Sequence, residues 1–264
     1  MFSPEAVLER AEIASSNEIS LDELTYHRLA KQYEFIAGSL SGLSQDFGRP
    51  LKILDIGAWR GDYVHFFTDL PPEVVGEVTA IDINPKKVKQ ALAQPCLQSD
   101  LATGRLTIMK GDGTNIPQFA DQSFDFINNI EILVGLNGKV TDLVSEVNRL
   151  LVYGGRASFN IPDQRSMYMF GQVGEFAAKK KIKYSQTELA EIFKENFDGD
   201  VRIAWFGQMP IRVEGENTLL PYKEGKKPDH IILATDALTI RPVFSPEGNK
   251  QFNPYFWMPM VRKW

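Results

Sequence analysis

The sequence predicts an α/β fold, a doubly wound parallel sheet with helices on both faces. Short apolar runs alternate with helical patterns from Leu51 to Ile161, the rhythm that places parallel strands between two helical layers. Lys52 apart, Leu51 to Ile56 is an apolar run of strand length, punctuated by Gly57 and Gly61 before a helical pattern opens at Asp62. That strand, turn and helix place a helix N-terminus beyond the strand's carboxyl end, where open α/β sheets bind ligands. The chain has 264 residues, 43% hydrophobic and 24% charged, enough for one large domain and tight for two.

Ser3-Pro4-Glu5 starts a helix, with a capping hydroxyl, a proline at the first helical position and an acid in the first turn. Ser20 and Glu23 form a capping box for a second helix through about Leu40, on which Leu29, Tyr33, Ile36 and Leu40 make an apolar stripe. Tyr26 falls near the edge of that stripe, facing protein or ligand, and His27 falls almost opposite. Gly42 to Pro50 reads as the linker into the sheet.

After the first strand and its helix to about Leu70, Glu77 to Asp82 is a second strand ending in an acid, followed by a helix from Pro85 to about Gln94. Leu106 to Lys110 is a third strand, closed by Gly111-Asp112-Gly113, and Ser123 to Asn128 a fourth. Lys139 to Leu151 is helical, and Gly154-Gly155 turns into a fifth strand, Arg156 to Ile161. Asp163 to Tyr184 has no period and reads as a long connection over the mouth of the sheet. Ser185 caps another helix, and strands Val201 to Phe206 and His230 to Ala234 enclose a polar insert. Leu238 to Trp264, rich in aromatics and prolines, is expected to pack on its own domain or on a partner subunit. The whole divides into an N-terminal helical cap (1–48), a ligand-binding core (49–237) and an aromatic C-terminal extension (238–264).

Composition narrows the function. A formal charge of −5 gives no electrostatic case for a nucleic-acid partner. No apolar run approaches the roughly 18 residues of a membrane span, and the lone Cys96 fits a reducing cytoplasm.

The chemistry gathers at strand ends. Asp82 closes the second strand where a carboxylate can accept from both hydroxyls of a ribose. Asp112 follows the third, where a carboxylate can accept from an exocyclic amine while Gly113 lies flat against a ring. Leu-Asp-Ile-Gly-Ala-Trp-Arg-Gly, Ala-Ile-Asp-Ile-Asn-Pro, Gly-Asp-Gly-Thr-Asn-Ile-Pro, Ser-Phe-Asp-Phe-Ile-Asn-Asn and Glu146-Val-Asn-Arg-Leu-Leu-Val-Tyr-Gly-Gly-Arg occur in that order. Together they resemble the motifs of class I S-adenosylmethionine-dependent methyltransferases, over roughly Leu51 to Ala234. The resemblance implies a Rossmann-like seven-stranded sheet in order 3-2-1-4-5-7-6 with the last strand antiparallel. It implies S-adenosylmethionine as cofactor, with methionine over Gly57 to Gly61, ribose on Asp82 and adenine between Ile83 and Asp112-Gly113. The cofactor-binding set is then Asp55, Gly57, Ala58, Trp59, Gly61, Asp82, Ile83, Asp112, Gly113 and Asn129.

Trp59 stands where the family has its middle glycine, so the loop leaves room elsewhere or uses the indole as a wall. Arg60 could pair with the cofactor's carboxylate or face solvent. Relatives with a metal after the fourth strand use Glu-x-x-Glu-His; here Glu131, Val134 and Gly135 occupy those positions, so no metal is expected.

A sulfonium methyl is already activated, so the protein's task is to align a nucleophile and exclude water. Candidate catalytic residues are Glu131, Tyr168 and Tyr26, with His27 as a further candidate base. Glu131 reads equally as a helix cap, and His27 more readily as a solvated residue. The expected activity is methyl transfer to a small molecule held under the N-terminal helices and the segment after strand five. The alternative is attack on the aminocarboxypropyl chain, by cyclisation or lysis, releasing methylthioadenosine. Expected partners are a small-molecule substrate and a second copy of the chain docked through the aromatic C-terminal segment.

Overall fold

The structure is a computed structural model that describes residues 18–19, 21–130, 132–133, 136, 138–159, 161–162, 186–197, 199–212, 231–242 and 256–263. In chain order these form β1 (Glu18–Ile19), α1 (Leu21–Phe47), β2 (Leu51–Ile56), α2 (Asp62–Asp69), β3 (Val75–Asp82) and α3 (Pro85–Leu92). A short 3-10 turn (Pro95–Leu97) leads to α4 (Gln98–Thr103), β4 (Leu106–Lys110), β5 (Phe124–Asn129), α5 (Val140–Leu150), β6 (Leu151–Phe159) and β7 (Ile161–Pro162). The chain continues through α6 (Gln186–Asn196), β8 (Gly199–Arg212), β9 (Ile231–Pro242) and β10 (Phe256–Lys263).

Five strands pair in parallel in the order β4-β3-β2-β5-β6, so the α/β reading of the central sheet holds. The strand order reverses at β2, which pairs with both β3 and β5; this is the switch point at which such sheets bind ligands. The strands sit between two apolar layers. Ile36, Leu40 and Leu43 of α1 and Val64 and Phe67 of α2 close one face, and Val140, Leu143, Val144 and Val147 of α5 with Phe193 of α6 close the other. Phe159 and Phe193 meet edge to face at 4.8 Å, which ties α6 to the sheet.

Beyond β6 the segment that lies next in the sheet is not the one expected. Among the described residues the sheet has ten strands, and β10 rather than the 230–234 segment lies against β6, antiparallel, with β8 on its other side and β9 outside β8. Both backbone edges of β10 are therefore taken up within its own sheet, and the expected boundary after residue 237 falls inside β9.

Two further boundaries move for identifiable reasons. Helix α1 continues through Gly42 to Phe47, because Leu43 and Phe47 prolong the stripe of Ile36 and Leu40 at helical spacing, and the chain then turns at Gly48 with φ +63°. Strand β6 starts directly at Leu151 and carries Gly154-Gly155 as an irregularity in its pairing with β5, not as a preceding turn. A Cβ at Gly155 would lie 2.9 Å from the Val152 carbonyl oxygen and 3.0 Å from that of Asp125, so a larger residue would push the strands apart.

At the amino end of the sheet, Asp125 is almost wholly buried and accepts both terminal nitrogens of Arg49 at 2.7 Å and the Lys52 N–H at 2.8 Å. The bidentate fork holds Arg49 above its ordinary pKa, chiefly through the hydrogen bond to Asp125. Arg49→Ala would leave that carboxylate with one donor, and is expected to lower unfolding free energy by about 2 kcal/mol. A urea midpoint unchanged from the parent protein would contradict this.

Candidate active site

The turn leaving β2 is shaped by left-handed backbone. Gly57, Trp59 and Gly61 have φ of +82°, +47° and +93°, a region that glycine enters freely and tryptophan only at a cost of about 1–2 kcal/mol. The N–H groups of Gly57 and Ala58 both donate to the Ile81 carbonyl, at 2.8 and 3.0 Å, and that of Gly61 donates to Ala58 O at 2.7 Å. These amides are used inside the turn, so it is not a phosphate cradle of outward N–H groups. Asp62, in the first turn of α2, is buried close by.

Asp82 ends β3 beside this turn. Its Oδ2 accepts the Trp59 N–H at 3.0 Å and its Oδ1 the Asn84 N–H at 2.8 Å. An ionised carboxylate has about four acceptor positions, so each oxygen keeps one for a ligand hydroxyl. Exposed apolar side chains flank it: Trp59 is 47% and Ile83 62% exposed.

The Trp59 indole lies nearly half exposed against two cations. The Arg60 guanidinium lies 4.2 Å from its ring centroid and the Lys87 ammonium, from α3, 4.9 Å. This cation–π contact with two charges holds the ring beside Lys87 of α3 and offsets part of the backbone strain. Arg60 reaches Asp62 only at 3.9 Å.

The loop after β4 supplies the opposite wall. Asp112 Oδ1 accepts the N–H and hydroxyl of Thr114 at 3.0 and 2.8 Å, and those bonds hold its carboxyl below the ordinary range. The Gly111 N–H donates to the Asp82 carbonyl at 3.1 Å, so the two acids belong to one contiguous edge. Gly113 packs on the sheet: a Cβ there would lie 2.3 Å from Ile56 Cγ2. Gly113→Ala is therefore expected to displace the loop and cost about 1–3 kcal/mol of stability, with a loss of ligand affinity readable by calorimetry; retention of both would show that the loop yields freely.

Behind the seat lies a buried polar row. Asp55, Asn128 and Ser158 are register partners on β2, β5 and β6. Ser158 Oγ donates to Asn128 Oδ1 at 2.7 Å, and Asn128 Nδ2 donates to Asp55 Oδ1 at 2.8 Å. Burial raises Asp55 to about 7, against the lowering effect of Asn128, with Asp82 and Asp62 adding repulsion. Asn129 gives its Nδ2 to the Ser158 carbonyl at 3.2 Å. Among the described residues no donor reaches Asp55 Oδ2 or Asn129 Oδ1, both buried.

The structure thus gathers Asp55, Gly57, Ala58, Trp59, Gly61, Asp82, Ile83, Asp112, Gly113 and Asn129 around the carboxyl ends of β2 to β5. Of the candidate catalytic residues, Glu131 and Tyr168 lie outside the described residues, and Tyr26 is placed only by its backbone on α1. Sequence reading missed Lys87, Ile132 and the Asn128–Ser158 link. Lys87 and Ile132 act across chain segments: a Cβ on Gly57 would lie 2.9 Å from Ile132 Cγ1, so Ile132 covers that turn.

The residues present suit an adenosyl sulfonium. Asp82 has spare acceptors for a ribose, Ile83 and the Gly113 loop offer flat walls for a base, and the orphaned oxygens of Asp55 and Asn129 suit a ligand that brings donors or positive charge.

A family model described as methyltransferase domain matches residues 54–159, the span that holds all of these groups. No protein of curated function matches the chain. Among solved structures, the methyltransferase domain of a bacterial CtHen1-C aligns with TM-score 0.58 and 10% identity over 88% of this chain and 96% of that one. A SAM-dependent methyltransferase from Archaeoglobus fulgidus aligns with TM-score 0.54 and 15% identity over 88% and 94%. At these identities the likeness speaks for the fold. Residues 54–159 thus carry a methyltransferase domain, set in a fold that the chain shares with these solved methyltransferases.

Proposed function

We propose that the chain transfers the sulfonium methyl of S-adenosylmethionine to a small-molecule acceptor held under the N-terminal helices and the segment after β7. The observation that carries the reading is the Asp82 carboxylate, oriented by the Trp59 and Asn84 N–H groups with an acceptor position left on each oxygen. The small-molecule acceptor rests on the formal charge of −5, which offers no pull toward nucleic acid. In this reading Asp82 holds the ribose hydroxyls, Ile83 and Gly113 enclose the adenine, and Gly57 lets the ligand approach the backbone. Asp112 accepts from the adenine amine through the oxygen that Thr114 leaves open. The bound cofactor supplies a methyl group that needs no further activation, so the remaining work is alignment and exclusion of water. Glu131, Tyr168 and Tyr26 are the groups proposed to meet the acceptor and, where it arrives protonated, to take its proton.

Trp59 and Arg60, at the methionine end of the seat, are the residues that would bear on attack at the aminocarboxypropyl chain. They stack on each other beside Lys87, and nothing else among the described residues of the seat favours that chemistry. The lone Cys96 supports placing the protein in a reducing cytoplasm.

The test is incubation with methyl-labelled S-adenosylmethionine and the metabolite and macromolecule fractions of a cell extract. Label in the metabolite fraction is expected. Label confined to protein or nucleic acid, or methylthioadenosine formed without acceptor, would overturn the reading.

A further inference from the structure

Asp55 is the one acid of the seat that is both buried and half without a partner among the described residues. It is 2% exposed, in the middle one of the five parallel strands at the switch point, one residue before Ile56 and the glycine turn. Only one of its oxygens has a partner: Oδ1 takes the Asn128 amide, and no described donor reaches Oδ2. The charges that act on it among the described residues are Asp62 at the head of α2 and Asp82 at the end of β3, both negative. A buried carboxylate with two acidic neighbours and a bare oxygen is unfavourable, whereas a carboxylic acid carrying its proton on Oδ2 is not.

The ligand changes this balance. S-adenosylmethionine carries a positive sulfonium and a positive ammonium against one carboxylate, so its uptake brings net positive charge to the side of β2 on which Asp82 lies. We propose that Asp55 is the charge-sensing residue of the seat, a neutral acid in the free protein that yields its proton to solvent when the cationic cofactor binds, so that cofactor uptake is linked to proton release. The proton goes to buffer and the resulting carboxylate is balanced by the bound cation; Asn128, fixed by Ser158, keeps Oδ1 oriented in both states. Burial supports the same assignment, since it raises this group to about 7. The inference rests on the cofactor proposed above and not on the acceptor.

Calorimetric titration of the full chain with S-adenosylmethionine, in pairs of buffers with different ionisation enthalpies, reads the proton count directly. About half a proton should be released per cofactor at pH 7 and close to one at pH 6, with cofactor affinity rising up to tenfold per pH unit between them. Methylthioadenosine, which fills the adenosyl seat without positive charge, should bind with no proton release. Asp55→Asn should abolish the release seen with S-adenosylmethionine. Should that variant not fold, the carboxylic acid band in the infrared difference spectrum of the unaltered protein, lost on cofactor binding, replaces it. Buffer-independent heats at pH 6 and 7, equal release with methylthioadenosine, release that persists in Asp55→Asn, or an unaltered acid band would each overturn the proposal. Absence of any binding heat would instead indict the cofactor identity.

Discussion

Asp82→Asn is expected to weaken S-adenosylmethionine binding by about 30- to 1000-fold while leaving the fold intact. The arithmetic follows from acceptor capacity. Two hydroxyl hydrogen bonds to a charged group are worth about 1.5–3 kcal/mol each, and an asparagine keeps one acceptor oxygen, so about 2–4 kcal/mol of the pair is lost. A second effect adds to the first. The Trp59 and Asn84 N–H groups are accepted on different oxygens, at 3.0 and 2.8 Å, and the amide must present its NH2 to one of them. If Trp59 loses its acceptor, a left-handed tryptophan at φ +47° loses one of the contacts that hold it. The loop then relaxes, and indole fluorescence should change even without ligand. Calorimetry gives the affinity and the near-ultraviolet spectrum reports the loop. Full affinity in a variant with normal circular dichroism would mean that the ribose is not held at Asp82, and the geometry of the whole seat would have to be rebuilt.

Much of this seat was legible because its determinants are local. The Leu51–Ile56 and Leu106–Lys110 strands stand where their apolar runs place them, and Gly57, Gly61, Asp82 and Gly113 follow from turn chemistry within a few residues of a strand end. What escaped depends on pairing across the sheet or on tertiary override. Gly42 punctuates a sequence, yet the burial of Leu43 against the sheet keeps α1 helical past it. Nothing near Asp55 in the sequence announces Asn128 or Ser158; only the register of β2, β5 and β6 brings them together. The side-chain identity of Trp59 argues against positive φ, and only the Asp82 acceptor and the cations of Arg60 and Lys87 explain it. The placement of β10 beside β6 is a long-range pairing that proline and aromatic content gave no means to foresee.

The stability of the cofactor-free protein is expected to fall as pH rises from about 4 to 7, and Asp55→Asn to remove most of that fall. Burial lifts Asp55 in the folded state to about 7 from an ordinary 3.8. Between those values the folded chain binds more protons than the unfolded one, so unfolding free energy declines with pH, by at most about 1.4 kcal/mol per unit. Three units correspond to about 4 kcal/mol, fully lost once pH exceeds the folded value. Below pH 4 both states hold the proton and Asp55 contributes no slope. The paired carboxylates slope the opposite way: Glu146, held below its ordinary range chiefly by Arg149, and Asp112, held there by Thr114, lose their contribution as pH falls. Their losses are concentrated at and below their ordinary pKa, which leaves pH 5 to 7 to Asp55. An asparagine keeps the acceptor that Asn128 Nδ2 needs and carries no charge, so the variant should match the parent below pH 4, exceed it by about 1.5 kcal/mol at pH 5 and by about 4 kcal/mol at pH 8. Urea midpoints at pH 5, 6, 7 and 8, with the denaturant slope held common, measure the difference. A parent protein whose midpoint rises steadily through this range, or a variant that shows the same decline as the parent, would mean that Asp55 is ionised in the folded chain and that its bare oxygen has found a donor.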